Sequence, residues 1–359
     1  MAQAVSARVD ARGKRRDDDA MIKGGYAARR GLAWVGLTVF AALFAMGLAA
    51  PGRAAELPVV RVGVLKFGTV NWELDVMRRY GLDRAHGIVV APVELAGKDG
   101  AAVALQGGTV DVILTDWLWV ARRRSLGGDD TFVPHSHATG GLIVRSDSGI
   151  KTIADLKGRK IGIAGGPVDK SWLVLRAYAK KTAGIDLARD AEPVFAAPPL
   201  LLATLEKGEI PAAINFWQYN ARLPQQGYTE LVRVEDMLPA LGLPARTPLL
   251  GWVFSEHWAK ANPAAVQGFL AAAQAARDRL AASAEEWQKI APLTGAESPA
   301  VLERLRDAYR RGTEGEGEAG NPAAAAQRLL DLLIAYGGID EAPANGRVPP
   351  GTFSAAGGS

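Results

Sequence analysis

From Val59 to Phe216, short apolar runs alternate with stretches of helical spacing, and this alternation constrains the fold more than any other feature of the chain. "VVRVGVLKF" (59–67) leads into "WELDVMRRYGLD", "IVVAPVEL" (88–95) into "GKDGAAVALQGG", and "VDVILT" (110–115) into "DWLWVARRRS". After an interval, "KIGIA" (160–164) leads into "DKSWLVLRAYAKKTAG", "VFAA" (194–197) into "PPLLLATLEKG", and "AAINF" (212–216) into "WQYNAR". Strands separated by helices of about ten residues cannot pair as tight hairpins. They form βα units around a largely parallel sheet. Two such sets predict two α/β lobes.

The ends of the chain read differently. Arg29-Arg30, an apolar run over 31–50 and small residues in "APGRAAE" (50–56) have the order of a secretory signal, with cleavage near Ala54 or Ala55. A run of about 20 apolar residues is also long enough for a retained anchor. Pro51-Gly52 and the small residues after it favour cleavage, and the arginine pair leaves both general and twin-arginine export open. In the last third, Val266, Phe269, Leu270, Ala273, Ala276 and Leu280 follow helical spacing, as do Leu329, Leu330, Leu333 and Tyr336. "RRGTEGEGEAGNP" (310–322) reads as a solvated loop.

Charge and cysteine content narrow the function. Residues 1–55 hold nine Lys/Arg against four Asp/Glu, so the whole-chain charge of +4 leaves the remainder at −1. The basic character belongs to the leader, and nothing remains to favour nucleic acid. Without cysteine there is no disulfide, no thiol nucleophile and no lipid-attachment residue, so an exported form is held by its core and is free rather than tethered. A G-x-S-x-G elbow and an H-E-x-x-H motif are also missing. "AGGPVDKS" (164–171) is not a nucleotide-binding loop, because Asp169 and Ala164 stand where glycines are needed.

"ALQGGTVDVILTDW" (104–117) and "KTIADLKGRKIGIAGG" (151–166) resemble the periplasmic substrate-binding proteins of ABC transporters. Within them the chain is most similar to the nitrate/sulfonate/taurine class, related to the thiamine-precursor binders, over roughly residues 58–340. The resemblance implies an α/β two-lobed periplasmic-binding-protein fold of type II, its lobes joined by two crossing strands in "PHSHATGGLIVRSDS" (134–148) and "PARTPLLGWVFS" (244–255). The expected organisation is a signal peptide with N-terminal extension over 1–55, lobe one over 56–140 and 247–340 with the C-terminal helices, lobe two over 141–246, and a disordered tail over 341–359.

Ligands of open α/β sheets sit beyond the carboxyl ends of the strands. That rule selects four loops: 68–72, 115–117, 165–171 and 215–219. The expected ligand set is Thr69, Asn71, Trp72, Asp116 and Trp117 from lobe one, Lys170, Ser171, Asn215 and Trp217 from lobe two, and His137 from the hinge. Three tryptophans at strand ends suit stacking on an organic ligand, although one alone is more often core. Asp169 or Ser171 caps the helix after Gly165-Gly166, whose start with Lys170 suits an anion or is an ordinary turn. Glu73 and Asp75 read as first-turn acids favoured by the helix dipole. His135 and His137 read as a hydrogen-bonding pair at the hinge rather than a metal site.

The resulting expectation is a periplasmic, monomeric, non-enzymatic receptor without cofactor or metal, closing on a small organic molecule such as a sulfonate, carboxylate or amine. By the resemblance it would present its closed form to an ABC permease and ATPase complex in the inner membrane. A sensing module for a membrane signalling partner is the alternative. An enzyme on the same fold is disfavoured, since the cysteine-rich motif of the thiamine-pyrimidine synthases is absent.

Overall fold

A computed structural model describes residues 56–355 apart from Gln225, 314–320, 338, 340, 341 and 344. The expected leader, residues 1–55, lies outside the described residues. Among those described, no helix is long and apolar enough to cross a membrane.

The βα pattern forms two five-stranded sheets. The first has the order β2-β1-β3-β10-β4, from β1 (Val59–Leu65), β2 (Val89–Leu95), β3 (Val112–Thr115), β4 (Asp130–Ser136) and β10 (Leu250–Ser255). The second has the order β7-β6-β8-β5-β9, from β5 (Gly141–Arg145), β6 (Lys160–Ala164), β7 (Glu192–Ala196), β8 (Ala212–Asn215) and β9 (Tyr228–Arg233). In each sheet the βα units pair parallel, as β1 does with β2 and β3, and β6 with β7 and β8. The strands next to the crossings, β10 and β5, run antiparallel to their neighbours.

β10 completes the first sheet after the chain has built the second, so lobe one is discontinuous, with its sheet closed by a late strand between β3 and β4. The lobes are joined through residues 137–140 and through 234–249. Gly140 is a residue of the first link whose backbone demands glycine. Its φ is 128°, and a Cβ there would run into the carbonyl of Asn215.

The helices cover the sheets. α1 (Val70–Tyr80), α2 (Lys98–Gln106) and α3 (Trp117–Ser125) belong to the βα units of lobe one, and α4 (Lys170–Ala183) to those of lobe two. After β10 the chain adds α5 (Pro263–Ala282), α6 (Ala284–Thr294) and α7 (Pro299–Thr313) to lobe one. The spacing read at Val266, Phe269, Ala273, Ala276 and Leu280 is the buried stripe of α5, packed with Val62, Val76 and Met77.

Two expectations for the C-terminal region need correction. α8 (Pro322–Leu332) and the turn 333–337 do not belong to lobe one alone: Leu329, Leu330 and Leu333 share a core with Leu173 and Val174 of α4 in lobe two, while Leu330 also borders Leu118 of α3. The tail is not free over 345–355 either. The amide of Phe132 donates to the carbonyl of Thr352 (2.8 Å), and the amide of Ser354 donates to that of Phe132 (2.9 Å). This caps the exposed edge of β4, while the Phe353 ring lies 5.4 Å from Phe132 and 6.2 Å from Trp117. A Gly/Pro-rich composition hid one aromatic anchor, and that anchor is enough to hold a short strand-like return.

Candidate functional site

The carboxyl ends of β1 and β3 and the starts of α1, α2, α4 and the short helix Trp217–Asn220 converge between the lobes. They enclose a cavity of about 90 Å³. Its walls are mostly apolar, with Val64, Leu65, Leu114 and Phe216 prominent, and its polar groups are Thr69, Lys98, Thr115, Thr139, Lys170 and Gln218.

A four-charge cluster closes one side. The Nζ of Lys98, on lobe one, donates to Asp116 Oδ2 at 3.2 Å and, across the cleft, to Asp169 Oδ2 at 2.9 Å. Both carboxylates also cap helices: Asp116 accepts from the amide of Trp119 and Asp169 from that of Ser171, each at 2.9 Å. Gly165 makes room for this arrangement, since a Cβ at its φ of 84° would run into the Asp169 carboxylate.

Lys170 is the fourth member. It is 4% exposed, yet its Nζ is 3.9 Å from Asp169 Oδ2, beyond hydrogen-bond reach, and 5.9 Å above the Phe216 ring. Burial lowers its pKa, offset by Asp169, and the charge of Lys98 adds to the lowering. The Thr139 hydroxyl is likewise buried without a hydrogen-bond partner. The Thr139 hydroxyl thus faces the cavity unsatisfied, a costly state that a bound molecule would relieve, and beside it Lys170 Nζ is held only by its 3.9 Å ion pair to Asp169.

The family model described as NMT1/THI5 like matches residues 84–286, more than half of the chain. The chain belongs to this family. Among curated proteins none matches. Solved structures similar in fold include the alkanesulfonate-binding protein SsuA from Xanthomonas axonopodis pv. citri bound to MOPS, at 24% identity and TM-score 0.63, covering 79% of this chain and 94% of that one. They also include the periplasmic aliphatic sulphonate binding protein SsuA from Escherichia coli, at 23% identity and TM-score 0.61, covering 78% and 93%. The periplasmic nitrate-binding protein NrtA from Synechocystis PCC 6803 is similar at 12% identity and TM-score 0.58, covering 83% and 92%.

In this NMT1/THI5-like protein the expected site residues divide into groups. Thr69, Lys170 and Trp217 line the cavity. Asp116 stands behind it, acting through Lys98. Asn71 and Trp72 instead face a separate groove of about 690 Å³ on the other side of α1. The Asn71 amide is spent on the carbonyls of Leu65 and Gly68 (2.9 and 3.0 Å), fixing its own turn. Trp117 is fully buried against Phe353, and Trp72 packs edge-on to Trp287 (5.7 Å).

Lobe two shows the same division. Asn215 donates to the Pro198 carbonyl (3.0 Å) and accepts from the Phe216 amide (2.8 Å), so its side chain splices two loops. The Ser171 hydroxyl and His137 Nδ1 are buried without partners, but neither lines the cavity. His135 does not pair with His137: its Nε2 meets Glu73 Oε2 at 3.0 Å, inside lobe one. Glu73, read as a dipole-favoured acid, is therefore a core group, also accepting from the Tyr309 hydroxyl at 2.8 Å. A further groove of about 520 Å³ lies by residues 138–140, but there Arg233 pairs with Glu235 and Asp236, and Arg304 bonds the carbonyls of Ala221 and Arg222.

The residue that the strand-end rule failed to select is Lys98. "AGKDG" (96–100) follows β2 just as the four chosen loops follow their strands, so the same rule applied to β2 would have included it. Gln218 lay within the selected loop 215–219 without being singled out, and Thr139 carried no comparable signal.

The bridge also sets a pH window. Burial would raise the Asp169 pKa, but Lys170, Lys98 and the Ser171 amide outweigh it and hold the pKa down at about 2. Lys98, despite burial, is held well above the ordinary lysine range by Asp169 and Asp116. The Asp169 contribution is present above its unfolded value of about 4 and is lost as pH falls through its folded value. That of Lys98 is present below about 10.4 and is lost only as pH rises through its raised value. The stability advantage of wild type over Asp169→Asn should stay flat from about pH 5 to 9, then shrink by roughly 2 kcal/mol between pH 4 and 2. Urea titrations at stepped pH measure this difference, and a decline already complete at pH 5 would contradict it.

Proposed function

We propose that the protein is the solute-binding component of an ABC importer. It closes its lobes on a small organic molecule in the 90 Å³ cavity and presents the closed form to a membrane permease. The observation that carries this reading is the buried, unpartnered Thr139 hydroxyl next to Lys170, whose Nζ keeps only a 3.9 Å ion pair to Asp169, both facing a cavity shared by both lobes. A ligand contacting both lobes binds only the closed form in full, so binding shifts the population toward closure by that differential affinity. Membership of the NMT1/THI5-like family and the fold shared with periplasmic sulfonate- and nitrate-binding proteins support the role. On this reading the leader is removed near Ala54 or Ala55, and the mature chain works in the periplasm as a monomer without catalytic chemistry.

The test is a thermal-shift and small-angle scattering screen of the mature chain over sulfonates, carboxylates, amides, amines and pyrimidines. At least one class should raise the melting temperature saturably and reduce the radius of gyration. Lys170→Met and Thr139→Val should each weaken that binding by about tenfold, as expected when a buried polar partner is removed. Undiminished binding to both variants would move the site elsewhere.

A further inference from the structure

At formal charge the four side chains at the cavity, Lys98 and Lys170 in its wall and Asp116 and Asp169 behind them, cancel. Lys98 and Lys170 supply two positive charges, and Asp116 and Asp169 two negative ones. All but Lys98 are nearly inaccessible, at 2% exposure for Asp116, 0% for Asp169 and 4% for Lys170. An anion sealed into this site would leave the closed cleft one negative charge in excess, away from water, and such a charge is costly unless it is paired.

The remaining unspent groups are donors without a vacant countercharge. Lys170 Nζ has no acceptor in reach, the Thr139 hydroxyl has no partner, and the N-terminal ends of α1 and α2 point partial positive charge inward at Thr69 and Lys98. Donors of this kind favour an acceptor oxygen and do not require a full negative charge. A cationic group would find both carboxylates already bonded to Lys98.

Resting on the solute-binding reading above, we infer that the cleft selects an uncharged solute carrying a strong acceptor oxygen, such as a sulfone, sulfoxide or amide, and discriminates against the isosteric anion. The oxygen sits at Lys170 and Thr139, and the apolar body lies against Phe216 and the ends of β1 and β3. Lys98 is then a specificity-determining residue that never needs to touch the ligand. By neutralising the two helix-capping carboxylates it sets the charge the cavity will tolerate.

The experiment compares matched pairs of similar shape and different charge: dimethyl sulfone with methanesulfonate, and acetamide with acetate. Binding is titrated calorimetrically on the mature chain. Wild type should bind each neutral member at least about tenfold more tightly than its anion. Asp116→Asn keeps an oxygen to cap Trp119 and raises the cluster to a net +1, so it should reverse the order. Asp169→Asn makes the same charge change from lobe two and should do likewise, which separates a charge effect from local damage. Anions binding wild type as tightly as their neutral partners would overturn the inference while leaving the solute-binding reading intact. If no member of either pair, nor any solute of the wider screen, bound wild type or either variant, the cleft reading itself would fall, and the inference with it.

Discussion

Lys98→Met should destabilise the protein by about 3 kcal/mol and open the lobes. Methionine keeps most of the lysine stem's volume and apolar contact but removes the one charge that touches carboxylates on both sides of the cleft. Asp116 and Asp169 would then be buried with only Lys170 nearby, and stranding buried charge in this way costs about 3–5 kcal/mol. For a chain of this size that corresponds to a fall in melting temperature of roughly 6 °C or more. Two controls identify the cause. The deficit should shrink in acid, where Asp169, no longer held down by Lys98, takes up a proton. It should also shrink in the double variant Lys98→Met/Asp169→Asn, where one of them is gone. A deficit equal at pH 4 and pH 8 would mean that lost packing, not unpaired charge, is responsible.

The fold was legible because its signal is periodic and long. Each βα unit repeats the same apolar run and helical stripe, and the crossing segments stood out as strand-like runs with glycine-rich flanks. What was not legible depended on long-range partners. Nothing local in "GRVPPGTFS" (346–354) reveals that Phe353 finds Phe132 and Trp117, more than two hundred residues away in sequence. The site was half legible for the same reason. The strand-end rule found the loops, but within a loop it cannot tell which side chains turn toward the cleft. Asn71 and Asn215 are polar because their own turns leave carbonyls and amides to satisfy, and Asp116 because a helix start needs a cap. Polar residues at strand ends serve local backbone demands first, and what points to a ligand is a polar group that lines the cavity with its bonding capacity still unspent, here the Thr139 hydroxyl beside Lys170.

The tryptophans at the strand ends make the same distinction measurable. Trp72, Trp287 and Tyr309 form an aromatic box within lobe one, with ring centroids 5.7 Å apart for Trp72–Trp287 and 5.5 Å for Trp287–Tyr309. Trp217, carried by lobe two just after β8, inserts against that box, edge-on to Trp72 at 5.8 Å and 6.2 Å from Tyr309. Trp72→Ala removes a fully packed indole and should cost about 3–5 kcal/mol of global stability. The melting temperature should fall by roughly 8 °C, whatever ligand is present. Trp217→Ala breaks a contact that exists only while the lobes are together, and its ring is only half-buried. It should lower the melting temperature less, by roughly 4 °C, but expand the free protein in solution scattering and weaken solute binding by about tenfold. Of the two, only Trp217→Ala should abolish the fluorescence change that accompanies closure. If Trp72→Ala abolished that change while Trp217→Ala preserved it, the assignment of Trp217 to the moving interface would be wrong.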